Sequence, residues 1–294
     1  GLGGGSEDTY VRSMAAAAFR RGWRVGVLNM RSCGKSPVTS PRFFSARNGA
    51  TDDVRLALAH VREELRLLGH DPKVAVVGWS IGATILNNVL ADQATTHAAG
   101  RSEYGAEVGV TLACPLDMPR CSANFERWFH GGVYDRAIAR SLMDKMSKWT
   151  HLFQDADGNP KPVPAWAGGE FEVAPGLLRG EVATIRGIDE AITRRCFGFQ
   201  TVDEYYEHAS SGKRLPDVDV PLLLINAADD PIAYLGPAGA TELPEAVRTN
   251  ENVMLALTRE GGHLGWCERG DAWGSPRWIE TVTLKFVEAV LGNP

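Results

Sequence analysis

The sequence predicts an α/β fold, a mostly parallel sheet with helices on both faces. Short apolar runs alternate with helical patterns before residue 114 and again after residue 220, turn residues punctuate the changes, and one tight glycine turn joins a strand pattern directly to a helix pattern. In order, residues 9–20 are alanine-rich and predict a helix, and Gly22 separates them from 23–28, an apolar stretch of buried-strand length. Residues 30–48, with Gly34, Pro37 and Pro41, predict an irregular loop. A helix over about 51–68 follows, with apolar Val54, Leu58, Val61, Leu65 and Leu68 three or four residues apart and Gly69 at its end. Residues 73–77 predict a strand, 83–91 a helix and 107–113 another strand, giving parallel strands joined by right-handed crossovers.

From 115 to about 219 the alternation stops, giving way to helical patterns with Pro- and Gly-rich connections and no convincing parallel strand. The stretch is too long for a crossover. The expected organisation is therefore a core of residues 1–114 and 220–294 with an inserted, mainly helical cap over 115–219. Strands are predicted again at 221–226 and 252–257, and an amphipathic helix over about 276–291 closes the core. The 236–240 loop is expected to be mobile. Because the chain opens on the loop pattern Gly1-Leu2-Gly3-Gly4-Gly5-Ser6, one or more upstream strands are expected to be missing, and an anchor or targeting segment could have gone with them.

Composition narrows the function classes. With 31 Lys+Arg against 36 Asp+Glu, the formal charge of -5 provides no strong field for nucleic acid or anionic lipid. Five cysteines, odd in number and without a C-x-x-C pair, argue for a reduced compartment and against a zinc-binding cluster. No apolar run approaches the roughly 18 residues of a membrane span. The chain reads as soluble and cytoplasmic, with membrane association through a missing segment kept open.

Gly78-Trp79-Ser80-Ile81-Gly82 matches G-x-S-x-G, which demands small residues beside a sharp turn that leaves the serine exposed. A glycine turn is the bland alternative, but the strand pattern before Gly78 and the helix pattern after Gly82 supply the context that the motif requires. A serine hydroxyl needs a base in reach. Of the seven histidines, His60 lies in a helix pattern, His70 and His97 in polar connections, and His130, His151 and His208 in the expected cap. His263, in Gly261-Gly262-His263-Leu264-Gly265 before the last helix, is placed to reach Ser80. The orienting carboxylate belongs between them in chain order, after a strand, where Asp229 and Asp230 both fit and Asp230 is favoured. The backbone N–H groups of Leu2 and Ile81 are the candidate oxyanion donors. Gly34-Lys35-Ser36 ends like a phosphate loop, but Asn29 stands where that motif needs glycine.

These residues resemble the α/β-hydrolase superfamily branch of bacterial YheT-like hydrolases, plant embryogenesis-associated proteins and animal α/β-hydrolase-domain proteins one to three. The matching stretches are 1–10, Asn-Met-Arg-Ser-Cys-Gly-Lys-Ser-Pro at 29–37, 78–82, Cys-Pro-Leu-Asp at 114–117, Asn-Ala-Ala-Asp-Asp-Pro at 226–231 and 261–265. The resemblance implies an α/β-hydrolase fold, with the family's charge-relay serine, aspartate and histidine on Ser80, Asp230 and His263. It also implies carboxylesterase or lipase activity on medium-chain acyl esters or glycerolipids. The family's usual His-Gly before the oxyanion loop survives here as Gly1.

Hydrolysis of a small-molecule or lipid ester through an acyl-enzyme, with no metal or organic cofactor, is the expected function. Acyl transfer to an alcohol by the same residues and a non-catalytic scaffold are the alternatives. Leu142, Met143, Met146, Trp149, Leu152 and Phe153 are candidates for an acyl pocket, with helix core as the competing reading. Trp79 is expected to pack against neighbours, and Cys33, Cys114 and Cys267 to be small buried fillers.

Overall fold

The computed structural model describes residues 1–98, 105–127, 131–181, 184–236, 245–267 and 277–292. In chain order its main elements begin with α1 (Thr9–Phe19), α2 (Ala50–Leu67), β1 (Ala75–Trp79), α3 (Ile81–Ala98) and β2 (Val108–Leu112). Then come α4 (Met118–Phe125), α5 (Arg136–Met146), the two-residue strands β3 (Val163–Pro164) and β4 (Glu170–Phe171), and α6 (Val202–Ala209). The chain finishes with β5 (Leu222–Ala227), β6 (Val253–Thr258) and α7 (Trp278–Leu291). β1, β2, β5 and β6 lie side by side in that order, every pair parallel, so the carboxyl ends of four strands share one edge.

Every residue of β2 and β5 is buried, as a strand covered on both faces requires. Alternate residues of β5 serve opposite faces. Leu222 and Leu224 pack with Ala83, Leu86 and Leu90 of α3, whereas Leu223 and Ile225 pack with Met14 and Ala17 of α1 and Leu284 and Val287 of α7. Burying four such leucine and isoleucine side chains favours folding by about 1.5–3 kcal/mol each. This is the doubly covered parallel sheet that the alternation of patterns predicts.

Three local expectations are corrected. Residues 23–28 form no strand, and Val27 and Leu28 are 42% and 54% exposed. An extended apolar run becomes a strand only beside a free partner edge, and among the described residues β1 pairs with β2 alone. Trp23 still packs onto the core. The apolar stripe of the second helix is partly solvated, with Val61 46% and Leu68 69% exposed. That helix is anchored instead by Arg62, whose Nε–H donates to the Gly105 carbonyl at 2.8 Å. Finally, α3 extends beyond the predicted 83–91 and takes in His97. Its central polar residues find tertiary partners: Asn88 Nδ2 donates to the Ala209 carbonyl at 2.9 Å, and the Gln93 amide exchanges two 3.0 Å bonds with the Ala106 backbone.

The segment between β2 and β5 carries helices, short helical turns and the small antiparallel β3–β4 ribbon. Its apolar cluster, including Met143, Met146, Phe153 and Phe197, packs on Phe43 and Phe44 of the 30–48 loop. Most of the loop expected to be mobile, residues 237–240, lies outside the described residues. Among the described residues no helix is long and apolar enough to cross a membrane.

Candidate active site

Ser80 is the single residue between the end of β1 and the start of α3, and its φ is 54°, in the left-handed region that a side chain enters only under strain. The turn is held by the Ser80 N–H, which donates to the Leu112 carbonyl of β2 at 2.9 Å. A Cβ on Gly78 would lie 2.6 Å from the Gly82 carbonyl oxygen, so that position accepts no side chain without movement of the backbone. Gly82 differs. Apart from its chain neighbours and its own helix backbone, no atom lies within 4 Å of a Cβ built there, so the expectation that both flanking glycines are needed for close approach holds at Gly78 alone. The Trp79 and Tyr10 rings meet at a tilt of 56°, centroids 5.7 Å apart.

The His263 turn follows β6. Gly262 and Leu264 both have positive φ, 50° and 70°, and the Gly265 N–H closes the turn onto the Gly261 carbonyl at 2.8 Å. A Cβ on Gly261 would lie 2.4 Å from Nε1 of the buried Trp266. That indole N–H donates to Thr258 Oγ1 at 2.9 Å, and Thr258 Oγ1 donates to the Asn226 carbonyl at 3.3 Å. Thr258 thereby ties the histidine turn to the end of β5. Neither Trp266 nor Thr258 was reached by sequence reasoning, because their roles exist only once β5 and β6 lie side by side.

The two aspartates after β5 have separate partners. Asp230, whose side chain is fully buried, accepts the N–H groups of Ile232 and Ala233 on Oδ1 at 2.8 and 2.9 Å and meets His263 Nδ1 with Oδ2 at 2.8 Å. Asp229 is exposed and accepts the Gly262 N–H at 2.8 Å, bracing the turn from outside. His263 Nε2 lies 2.9 Å from Ser80 Oγ. An ionised Asp230 fixes the imidazole proton on Nδ1, leaving Nε2 free to accept the Ser80 hydroxyl proton.

A cavity of ≈ 1010 Å³ opens over these groups, with Leu2, Ser80, Ile81, Leu142, Ile188 and His263 in its wall. Ile81 begins α3, where N–H groups have no intrahelical acceptor. Among the described residues neither the Ile81 nor the Leu2 N–H donates to another protein atom. Of the six candidates for an acyl pocket, Leu142 lines this cavity. Met143, Met146 and Phe153 are buried in the neighbouring cluster, with Trp149 and Leu152 packed against it, because helix α5 turns one face to the cavity and the other to Phe43 and Phe44.

The buried thiols are poor nucleophiles at neutral pH. Burial pushes Cys114 up to about 11 and Cys121 and Cys196 up to about 12. Cys33 is buried as expected, but Cys267, next to the buried Trp266, is exposed.

A family model described as alpha/beta hydrolase fold matches residues 1–263. The chain belongs to the α/β-hydrolase fold family. Among curated relatives, embryogenesis-associated protein EMB8 of Picea glauca is 33% identical over 100% of this chain and 58% of its own length. The medium-chain fatty acid ethyl ester synthase/esterase 2 of Saccharomyces cerevisiae is 30% identical over 99% of this chain and 62% of its own length. Phospholipase ABHD3 of Homo sapiens is 27% identical over 99% and 63%. The chain thus spans less than two thirds of the length of each of these relatives. An esterase from Pyrococcus furiosus has the same fold, with a TM-score of 0.57 at 13% identity over 99% of this chain and 80% of that one. Embryogenesis-associated and α/β-hydrolase-domain proteins thus stand among the relatives to which this chain is similar.

Proposed function

We propose that this α/β-hydrolase chain is a serine carboxylic ester hydrolase with Ser80 as nucleophile, His263 as general base and acid, and Asp230 as the group that orients the imidazole and stabilises it once it takes the Ser80 proton. The observation carrying this reading is the continuous line Asp230 Oδ2, His263, Ser80 Oγ at 2.8 and 2.9 Å beneath a substrate-sized cavity. Ser80 Oγ attacks the ester carbonyl as its proton passes to Nε2. The Leu2 and Ile81 N–H groups take the tetrahedral oxyanion, a donor of this kind contributing about 3–4 kcal/mol. His263 returns the proton to the leaving alcohol, and water attacks the acyl-enzyme by the same route in reverse. Residues 115–219 act as a cap that shapes the cavity, and a medium-chain acyl ester or glycerolipid fits its mixed wall of apolar and polar side chains.

Acyl transfer to an alcohol is the second reading, favoured by the synthase/esterase activity in the yeast relative's name. It differs in whether alcohol or water reaches the acyl-enzyme. The test is labelling by a fluorophosphonate probe: a labelled chain whose Ser80→Ala variant is blank supports the nucleophile, and an unlabelled folded chain defeats it. Ester products formed in the presence of ethanol decide between transfer and hydrolysis.

A further inference from the structure

The segment carrying the Leu2 N–H is pinned on one side by two residues that the chemistry above does not use. Within it the Gly4 N–H donates to the Gly1 carbonyl at 3.0 Å, closing a turn over Leu2 and Gly3, where Gly3 has a φ of 70°. Asp8, just before α1, accepts the Gly5 N–H on Oδ2 at 2.9 Å, and the Gly1 nitrogen donates to the Tyr10 hydroxyl oxygen at 2.9 Å. A Cβ built on Gly4 would lie 2.4 Å from Asp8 Oδ2 and 2.7 Å from the Tyr10 oxygen, so both groups sit against the backbone of the turn. Burial first, then the Asp8 charge and hydrogen bonding, push the Tyr10 phenol above its ordinary value, so it stays neutral beside that carboxylate. The opposite side of the turn differs. A Cβ on Gly3 would meet the Lys145 stem of α5 at 3.2 Å, a flexible chain that gives contact without a fixed direction.

We propose that Tyr10 and Asp8 are positioning residues that hold the Leu2 N–H toward the oxyanion formed at Ser80, acting through the Gly1–Gly5 turn and not on the substrate. A glycine-rich turn loses much backbone freedom when it is ordered, and a donor that must be ordered during the reaction returns part of what its hydrogen bond contributes. Tyr10 refers the turn to the frame that carries the nucleophile: its ring meets Trp79, the neighbour of Ser80, and its helix packs on the sheet through Met14 and Ala17. The inference rests on Leu2 serving a reaction at Ser80, and its test separates failure of that reading from failure of the brace.

The parent chain, Tyr10→Phe, Asp8→Ala and Asp8→Asn are compared on p-nitrophenyl octanoate and on octyl trifluoromethyl ketone, which adds to a nucleophilic serine and leaves an oxyanion. Tyr10→Phe keeps the ring beside Trp79, and Asp8 makes no side-chain cap bond to α1, so these changes spare the helix. In Tyr10→Phe, kcat is expected to fall about tenfold with KM changed about twofold or less, and ketone inhibition to weaken by the same factor. Asp8→Ala is expected to match that loss, and Asp8→Asn, which keeps an oxygen for the Gly5 N–H, to regain part of it. A fall in kcat of less than about threefold in Tyr10→Phe, or a loss confined to KM, overturns the assignment. Amide hydrogen exchange followed by NMR needs no activity: the Gly4 and Gly5 N–H groups are expected to exchange about tenfold faster in Tyr10→Phe, and unchanged exchange overturns the brace. A parent that the fluorophosphonate probe does not label defeats the nucleophile reading, and exchange then decides whether these residues hold the turn.

Discussion

The carboxyl edge of the sheet and the segment between β2 and β5 are both parts of the cavity wall, but different physics builds them. At the sheet edge, side chains are aimed by turns whose constraints are local: the backbone at Gly78, the positive φ of Ser80, the indole beside Gly261. Across the cavity, Asp135, Asp189 and Tyr206 are positioned by packing between residues far apart in the chain, such as Asp135 with Ile185 and Tyr205 with Ala46. Local constraint leaves short motifs, and long-range packing leaves none.

The sharpest break in that contrast is His263→Ala, expected to lower kcat by about 10^4-fold or more in ester hydrolysis with little change in thermal melting. The neighbouring aspartates come next. Asp230→Ala removes the imidazole's partner and is expected to cost about 10^3–10^4-fold in kcat, while Asp229→Ala loosens the turn and is expected to cost about tenfold or less. Equal losses would show the outer brace to matter as much as the buried carboxylate. For the serine turn, Gly78→Ala is expected to destabilise by about 3 kcal/mol or more in urea unfolding, against about 1 kcal/mol or less for Gly82→Ala.

The smallest effect probes the far wall through pH. The Asp189 carboxyl, ordinarily at 3.8, is held at about 6 in the folded chain by burial, so the folded state binds this proton more tightly than the unfolded state. The carboxyl's contribution to stability is therefore fully present below the ordinary value and is lost as pH rises from there through about 6. Asp189→Asn removes that dependence. Its melting temperature relative to the parent is expected to be higher at about pH 7.5 than at about pH 4, and a difference independent of pH would break the assignment.

The same contrast explains what the sequence could disclose. β5 was legible because its six residues are apolar enough to be buried on both faces, and Ser80 and His263 stood out because glycines frame them. Asp230 was favoured over Asp229 by its match to the family motif, whereas the different partners of these adjacent carboxylates are visible only in the path of the turn. Residues 23–28 misled because apolarity and length mark a strand candidate without revealing whether a partner edge lies beside it. For the six acyl-pocket candidates the helix-core reading holds, with Leu142 also reaching the cavity: periodicity finds the buried face of α5 but not which neighbour it meets.

The unequal surroundings of the cysteines have a practical consequence. With Cys33, Cys114 and Cys196 buried and Cys121 buried in the cavity wall, a thiol-reactive dye too bulky for the cavity is expected to attach at Cys267, close in sequence to His263. Its emission would register substrate entry or movement of the histidine turn in real time, with no engineered residue.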